Sequence, residues 1–145
     1  AWGCEVTAIT TNLAKAEQAR GFGAHHVEEL EALPDLQNRF DLVINTVNHP
    51  LDWSAVMASL RPLGRLHQLG AVLEPIQVGA FDLIPGRRSI TGSPLSSPAS
   101  LLTMVDFCVR HNIRPLVEHL PMDQVNVAIQ RLAKGDVRYR FGLDA

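Results

Sequence analysis

The sequence predicts an α/β protein with a doubly wound parallel sheet, and three observations carry that expectation. Short apolar, β-rich runs recur along the 145 residues. Helical patterns separate them at the spacing of strand–helix–strand units, which place helices on both faces of a parallel sheet. The glycine-rich phosphate turn that opens many such folds is missing, and with it the strand that should precede it. Crossovers are expected to be right-handed.

The first run, Glu5 to Thr10 (EVTAIT), is short and β-rich, as a buried strand should be. Asn12 suits the cap of a helix through Arg20, built on Ala14, Ala16 and Ala19. Gly21 and Gly23 end it. His25 to Val27 can form a brief strand, and Leu30 to Phe40, with Pro34, a short helix or loop. Asp41 to Val47 (DLVINTV) is the clearest strand, broken by Asn48-His49-Pro50.

Trp53, Val56, Met57 and Leu60 share one helical face, with Asp52 as cap. Pro62 and Gly64 are expected to end that helix, and Arg65 to Leu69 to form the next strand. Ile76 to Ile84 is apolar but mixed, with a short helix near Phe81 ended by Pro85-Gly86. Ser89 to Ser93 reads as a strand.

Ser97-Pro98 is a strong helix start. Leu101, Leu102, Val105, Cys108 and Val109 form that helix's expected inner face, and Asn112 ends it. Pro115 to Leu120 is extended. Asp123 opens a helix with Val125, Ala128, Ile129 and Leu132 inward, closed by Gly135. Arg138 to Leu143 is a last strand.

Composition narrows the function classes. A formal net charge of -2 argues against a nucleic-acid partner, which needs a basic excess. No apolar run reaches the length of a membrane span. The start, AWGCEVTAIT, has no basic leader, so a cytoplasmic location is expected. It also lacks an initiator Met, which suggests a piece of a longer chain. Cys4 and Cys108 lie far apart without CxxC or CxxH spacing, so no zinc site is read; a disulfide is possible on count alone, and two buried, reduced thiols are expected.

Ala1-Trp2-Gly3 reads as a helix tail and its capping glycine. The first strand and its phosphate turn should then lie upstream. That strand is central in a doubly wound sheet, so EVTAIT and DLVINTV should be left with unpaired inner edges.

EVTAITTNLAKAEQARGFGAHHV resembles the second strand and following helix of zinc-dependent medium-chain alcohol dehydrogenases. FDLVINTVNHPLDWSAVMASLRPLGRLHQLGA resembles that family's fourth strand, helix and fifth strand. GRRSITGSPLSSPASLLTMVDFCVRHNIRP and the ending GDVRYRFGLDA are most similar to its cinnamyl-alcohol-dehydrogenase branch. The resemblance covers nearly the whole chain. It implies a Rossmann-type cofactor domain over 1–113, and a segment returning toward the catalytic domain over 114–145.

The implied chemistry is hydride transfer between an alcohol or aldehyde and a nicotinamide cofactor, with zinc as Lewis acid. The family's zinc ligands and proton relay precede its first Rossmann strand. No catalytic and no metal-binding residue is therefore assigned in this chain, which should be inactive alone.

The resemblance also implies cofactor residues. NAD-preferring members carry an acid at the end of the second strand, where this chain has Thr10. Thr10, Thr11 and Asn12 offer neutral polar groups, and Lys15 a positive charge. The implied cofactor is NADP, with NAD the alternative. Thr46 and Val47, then Gly70, Ala71 and Val72, then Gly92, Ser93 and Pro94 follow successive strands and match nicotinamide-side positions, largely through backbone. Arg140 matches a late arginine near the pyrophosphate.

Plainer roles compete for each of these residues. Thr10-Thr11-Asn12 also reads as a strand end and helix cap, the glycines as turns, and Arg140 as a surface salt bridge. His25 and His26 neighbour Glu28 and Glu29, but adjacent strand residues point to opposite faces, so no shared ion is expected. Trp53 suits packing better than base stacking. His67 reads as a satisfied strand histidine, and His111 and His119 as surface positions. Ser96-Ser97 reads as a cap, since GxSxG is absent.

Two other functions stay open: a zinc-free reductase of the quinone-oxidoreductase kind, and a non-catalytic nucleotide-binding module. The resemblance also implies a homodimer, formed by pairing of the Ser89–Ser93 edge strands across a two-fold axis.

Overall fold

A computed structural model describes all 145 residues. The chain forms two units, Ala1–Ser96 and Ser97–Ala145. That boundary falls just ahead of a helix, earlier than the functional division at 113/114 drawn from the sequence.

The first unit holds strands β1 (Thr7–Thr10), β2 (His26–Glu29), β3 (Phe40–Asn45), β4 (Leu60–Gln68) and β5 (Ser89–Gly92). Its helices are α1 (Ala16–Gly21), α2 (Trp53–Ser59) and α3 (Ala80–Leu83), with 3₁₀ turns at Leu13–Lys15 and Leu30–Asp35. All pairings are parallel, but they fall into two sheets, β1-β2 and β3-β4-β5. The break lies between β1 and β3, where the sequence lacks the central strand. Both facing edges are left unpaired.

The predicted caps are formed. Asn12 Oδ1 accepts from the Ala14 N–H at 2.8 Å, and Asp52 Oδ1 from the Ala55 N–H at 3.0 Å. The Asp52 cap fixes the start of α2. Trp53, Val56 and Met57 then face the sheet together and are buried. Val43, Leu66 and Ile90 lie side by side on the face below, one from each of β3, β4 and β5. Leu33, Leu60 and Leu66 complete the core. Met57 has no exposed surface. Met57→Ala should therefore destabilise the unit by about 2–5 kcal/mol, read as a lower urea midpoint with an unchanged slope.

One boundary differs from expectation. Pro62 and Gly64 do not terminate α2, and the next strand does not wait for Arg65. The chain is already extended at Leu60 (φ -76°, ψ 137°), which pairs with Phe40. Arg88 holds it there: its Nε donates to the Leu60 carbonyl at 2.9 Å, and its Nη2 to Asn38 Oδ1 at 2.9 Å. Tertiary hydrogen bonds thus end the helix one turn before the sequence signals do.

The second unit contains α4 (Pro98–Arg110), β6 (Glu118–Pro121), α5 (Val125–Ala133) and β7 (Phe141–Asp144), with a 3₁₀ turn at Met122–Gln124. Ser97 Oγ caps α4 by accepting from the Ser100 N–H at 3.2 Å. The expected inner face of α4 is a correction: none of its residues is buried, and Leu102 and Val109 are well exposed. In α5 only Ala128 is buried, while Ile129 and Leu132 are exposed. Two paired strands, β6 and β7, make too small a surface to cover both helices.

Charge ties this second unit together. Arg131 donates to Glu118 Oε2 at 2.7 Å and to Asp136 Oδ2 at 3.0 Å, and lies 4.8 Å over the Phe141 ring. The Arg138 N–H, at 2.7 Å, and then Arg131 hold the Glu118 carboxyl below the ordinary carboxylate range. A carboxylate depressed in the fold stabilises it above the ordinary range, and that contribution is lost as pH falls through the folded value. Amide signals of Glu118, His119 and Leu120 should therefore broaden or shift together on acidification. Glu118→Gln should show the loosened pattern already at neutral pH.

Both cysteines are free thiols, but neither is buried as expected: Cys4, ahead of the first strand, is exposed, and Cys108, on the uncovered helix α4, is half-buried. No helix is long and apolar enough to cross a membrane.

Candidate functional site

The unpaired edges of β1 and β3 border a cleft of about 370 Å³. Thr7, Ile9, Thr10, Thr11 and Lys15 line one side, and Leu42 to Val47 and His49 the other. Five residues singled out from the sequence, Thr10, Thr11, Lys15, Thr46 and Val47, thus share one cleft. Carboxyl ends of parallel strands are where open α/β sheets bind ligands.

Each side is locally determined. Thr10 Oγ1 accepts from the Asn12 N–H at 3.2 Å, which turns the chain out of β1. Asn12 is spent as a helix cap and is not among the cleft-lining residues. The 3₁₀ turn then carries Lys15 back to the cleft, whose only other titratable lining group is His49.

Two residues without an assigned role prove structurally central: Asn45 and Gln68. Asn45 is buried, and its Nδ2 donates to Gln68 Oε1 at 3.0 Å. Its Oδ1 accepts from the Val47 N–H at 3.3 Å. Its carbonyl accepts from the Leu69 and Gly70 N–H groups, at 2.9 and 3.0 Å. Gln68 Nε2 donates to the Gly70 carbonyl at 2.6 Å. This network fixes the ends of β3 and β4 against each other. A polar Asn inside the apolar run DLVINTV was the available signal.

The remaining assigned residues fall at other strand ends. Gly70 lies against Val47, and Val72 turns back onto the core. Gly92 ends β5, followed by Ser93 and Pro94. Arg140 lies in the second unit, where its carbonyl accepts from the Glu118 N–H at 2.9 Å. His25 Nδ1 accepts from the Val6 N–H, and His26 pairs with Glu5 at 2.7 Å. No group of three His, Cys, Asp or Glu side chains is placed to hold a metal ion.

The sequence profile described as "Zinc-binding dehydrogenase" matches residues 1–110. The chain belongs to that family. It is 45% identical over 146 residues to an aldehyde reductase of Synechocystis sp., covering 99% of this chain and 44% of the relative. It is 37% identical over 147 residues to an NADP-dependent alcohol dehydrogenase of Mycolicibacterium smegmatis, covering 99% of this chain and 42% of the relative. Among solved structures, a cinnamyl alcohol dehydrogenase from Sorghum bicolor superposes with a TM-score of 0.88 at 32% identity, over 98% of this chain and 41% of that one. The chain therefore spans less than half the length of these relatives. Its fold is the Rossmann-like cofactor-binding part of medium-chain alcohol dehydrogenases.

Proposed function

We propose that this chain is the nucleotide-binding part of an NADP-dependent, zinc-type alcohol dehydrogenase that moves a hydride between an alcohol or aldehyde and the nicotinamide ring. The carrying observation is the cleft that joins Thr10, Thr11 and Lys15 to Thr46 and Val47 without a carboxylate among its lining residues. A 2′-phosphate can meet the Lys15 ammonium and the threonine hydroxyls there. The names of the similar proteins agree in kind: an aldehyde reductase and an NADP-dependent alcohol dehydrogenase.

When bound, the cofactor supplies the hydride. This chain's residues would orient it through the ends of β1, β3, β4 and β5. Zinc and the proton relay would come from residues outside this sequence, so the 145-residue chain should show no turnover by itself.

The cleft also exposes two strand edges that a parallel strand would pair. β5 is the outer strand of its sheet, and a homodimer through that edge is part of the proposal, as is a cytoplasmic setting. The proposal includes no nucleic-acid or membrane partner.

Titration of the chain with NADPH and NADH, followed by nicotinamide fluorescence, tests the cofactor choice. NADPH should bind more tightly, and added salt should weaken it. Equal binding of both would overturn the NADP assignment, and alcohol oxidation by the purified chain would overturn the placement of the catalytic residues.

A further inference from the structure

Two turns at the amino end of β4 and β5 form one platform, away from the strand ends at Thr46 and Val47. Between the pairs Phe40–Leu60 and Leu42–Arg65, β4 runs from 60 to 65 while β3 runs from 40 to 42. Arg61, Pro62, Leu63 and Gly64 therefore leave the ladder as a bulge. The Leu63 N–H donates to the Gly86 carbonyl at 2.7 Å, which seats the bulge against the turn ahead of β5. Arg88 ties that turn down through the Leu60 and Asp82 carbonyls and Asn38 Oδ1. A Cβ at position 86 would lie 3.0 to 3.3 Å from the Arg88 side chain, so glycine there lets the arginine fold back.

Charge and backbone set this platform apart. The three acceptors that hold Arg88 are all neutral. Arg65 and Arg87 are exposed, and neither makes a salt bridge; only Arg61 is matched, by Asp41 at 3.0 Å. Asp82 uses its Oδ2 to accept from the Gly79 N–H at 2.8 Å. The platform thus carries a positive surplus on a chain whose formal charge is -2. Leu63 stands well exposed among these arginines at φ 67°, and Arg87 beside it has φ 49°. A leucine in the left-handed region is strained where glycine or asparagine would be relaxed. Strain that presents an apolar side chain to solvent, ringed by unpaired guanidinium groups, has no internal contact to account for it.

We propose that this platform docks an acidic segment of a partner protein, with an apolar side chain seated on Leu63 and carboxylates paired with Arg65, Arg87 and the remaining N–H groups of Arg88. Arginines around an apolar anchor are the composition of a protein interface. A nucleic-acid site would need its basic excess to extend over a larger surface, and the chain outside the platform is net negative. The carboxylates would supply the charge complement that these guanidinium groups lack within the chain, and would speed encounter. None of the docking residues lines the cleft, so docking should proceed with or without nucleotide.

The test uses the full 145-residue chain and two blocked pentapeptides, one a leucine flanked by glutamates and one a leucine flanked by lysines. In ¹H–¹⁵N spectra the glutamate peptide should shift the Leu63, Gly64, Arg87 and Arg88 amides and leave Thr10 and Lys15 in place. Added salt should weaken it, and the lysine peptide should move none of these signals. Arg65→Glu combined with Arg87→Glu should weaken the glutamate peptide about tenfold or more. Leu63→Asn should also weaken it, yet leave the urea midpoint unchanged or higher, because asparagine tolerates this backbone. A leucine kept only for the fold would show the opposite pattern. An unmoved platform, equal binding of both peptides, or full binding by either variant overturns the inference. Shifts that grow with the concentration of the chain alone would make a second copy the occupant, and tighter binding of an oligothymidylate of equal charge would make it a nucleic acid; either result overturns the acidic protein partner.

Discussion

Gly70→Ala should unfold the carboxyl end of the three-stranded sheet and abolish nucleotide binding. A Cβ at position 70 would lie 2.6 Å from the Val47 carbonyl carbon and 2.9 Å from that of Thr46, with the Val47 carbonyl oxygen nearer still. Those atoms are backbone and cannot rotate away. The Asn45 carbonyl holds the Gly70 N–H, and Gln68 holds its carbonyl, so position 70 cannot retreat either. The cost should reach the upper end of overpacking penalties, about 3 kcal/mol or more. Urea unfolding read by Trp53, which lies in the core cluster, measures it. A midpoint unchanged within error would show that the two loops are not packed as described. Gly92→Ala is the control: its Cβ would approach the Gln68 carbonyl oxygen at 3.3 Å, a contact that small adjustments relieve.

Local signals in the sequence were sufficient wherever a side chain caps its own backbone. Asn12, Asp52 and Ser97 each accept from an N–H two or three residues later, so only neighbours are needed to predict them. The order of strands and helices followed from their alternation. What was not legible depended on distant partners. Leu60 continues a helical pattern, yet Arg88, twenty-eight residues later, fixes its carbonyl in a strand. The apolar stripe of α4 is a sound prediction of a packing face, but no neighbour buries it in this structure. Pattern shows which face seeks cover; it does not supply the covering layer.

The site divides along the same line. The resemblance singled out Thr10, Thr11, Lys15, Thr46 and Val47 as cofactor contacts, and folding brings all five to one cleft. Asn12 reads equally well as a ligand contact or a cap, and its side chain is used as the cap. Asn45 and Gln68 escaped notice because their importance lies in being opposite each other across β3 and β4, a register the sequence does not state. Register likewise sets His67, an ordinary strand histidine in sequence, between the hydroxyls of Thr91 and Ser93.

Thr10→Asp should reverse the cofactor preference. Thr10 ends β1 in the cleft that Lys15 also lines, and its hydroxyl accepts from the Asn12 N–H. An aspartate oxygen can accept from the same N–H, so the turn into the helix should survive. The new carboxylate would face the 2′-phosphate of NADPH with a like charge. At contact distance such a pair costs about 1–4 kcal/mol between water-like and surface-like screening, so NADPH affinity should drop about tenfold or more. NADH, with a 2′-hydroxyl that can donate to the carboxylate, should gain severalfold. Added salt should narrow the NADPH loss, since the penalty is electrostatic, and leave the NADH gain nearly unchanged. Thr10→Ser, which keeps the hydroxyl and adds no charge, should behave like the unaltered chain. If Thr10→Asp and Thr10→Ser bind NADPH equally well, the 2′-phosphate does not lie at the end of β1, and the preference for NADP must arise elsewhere in the cleft.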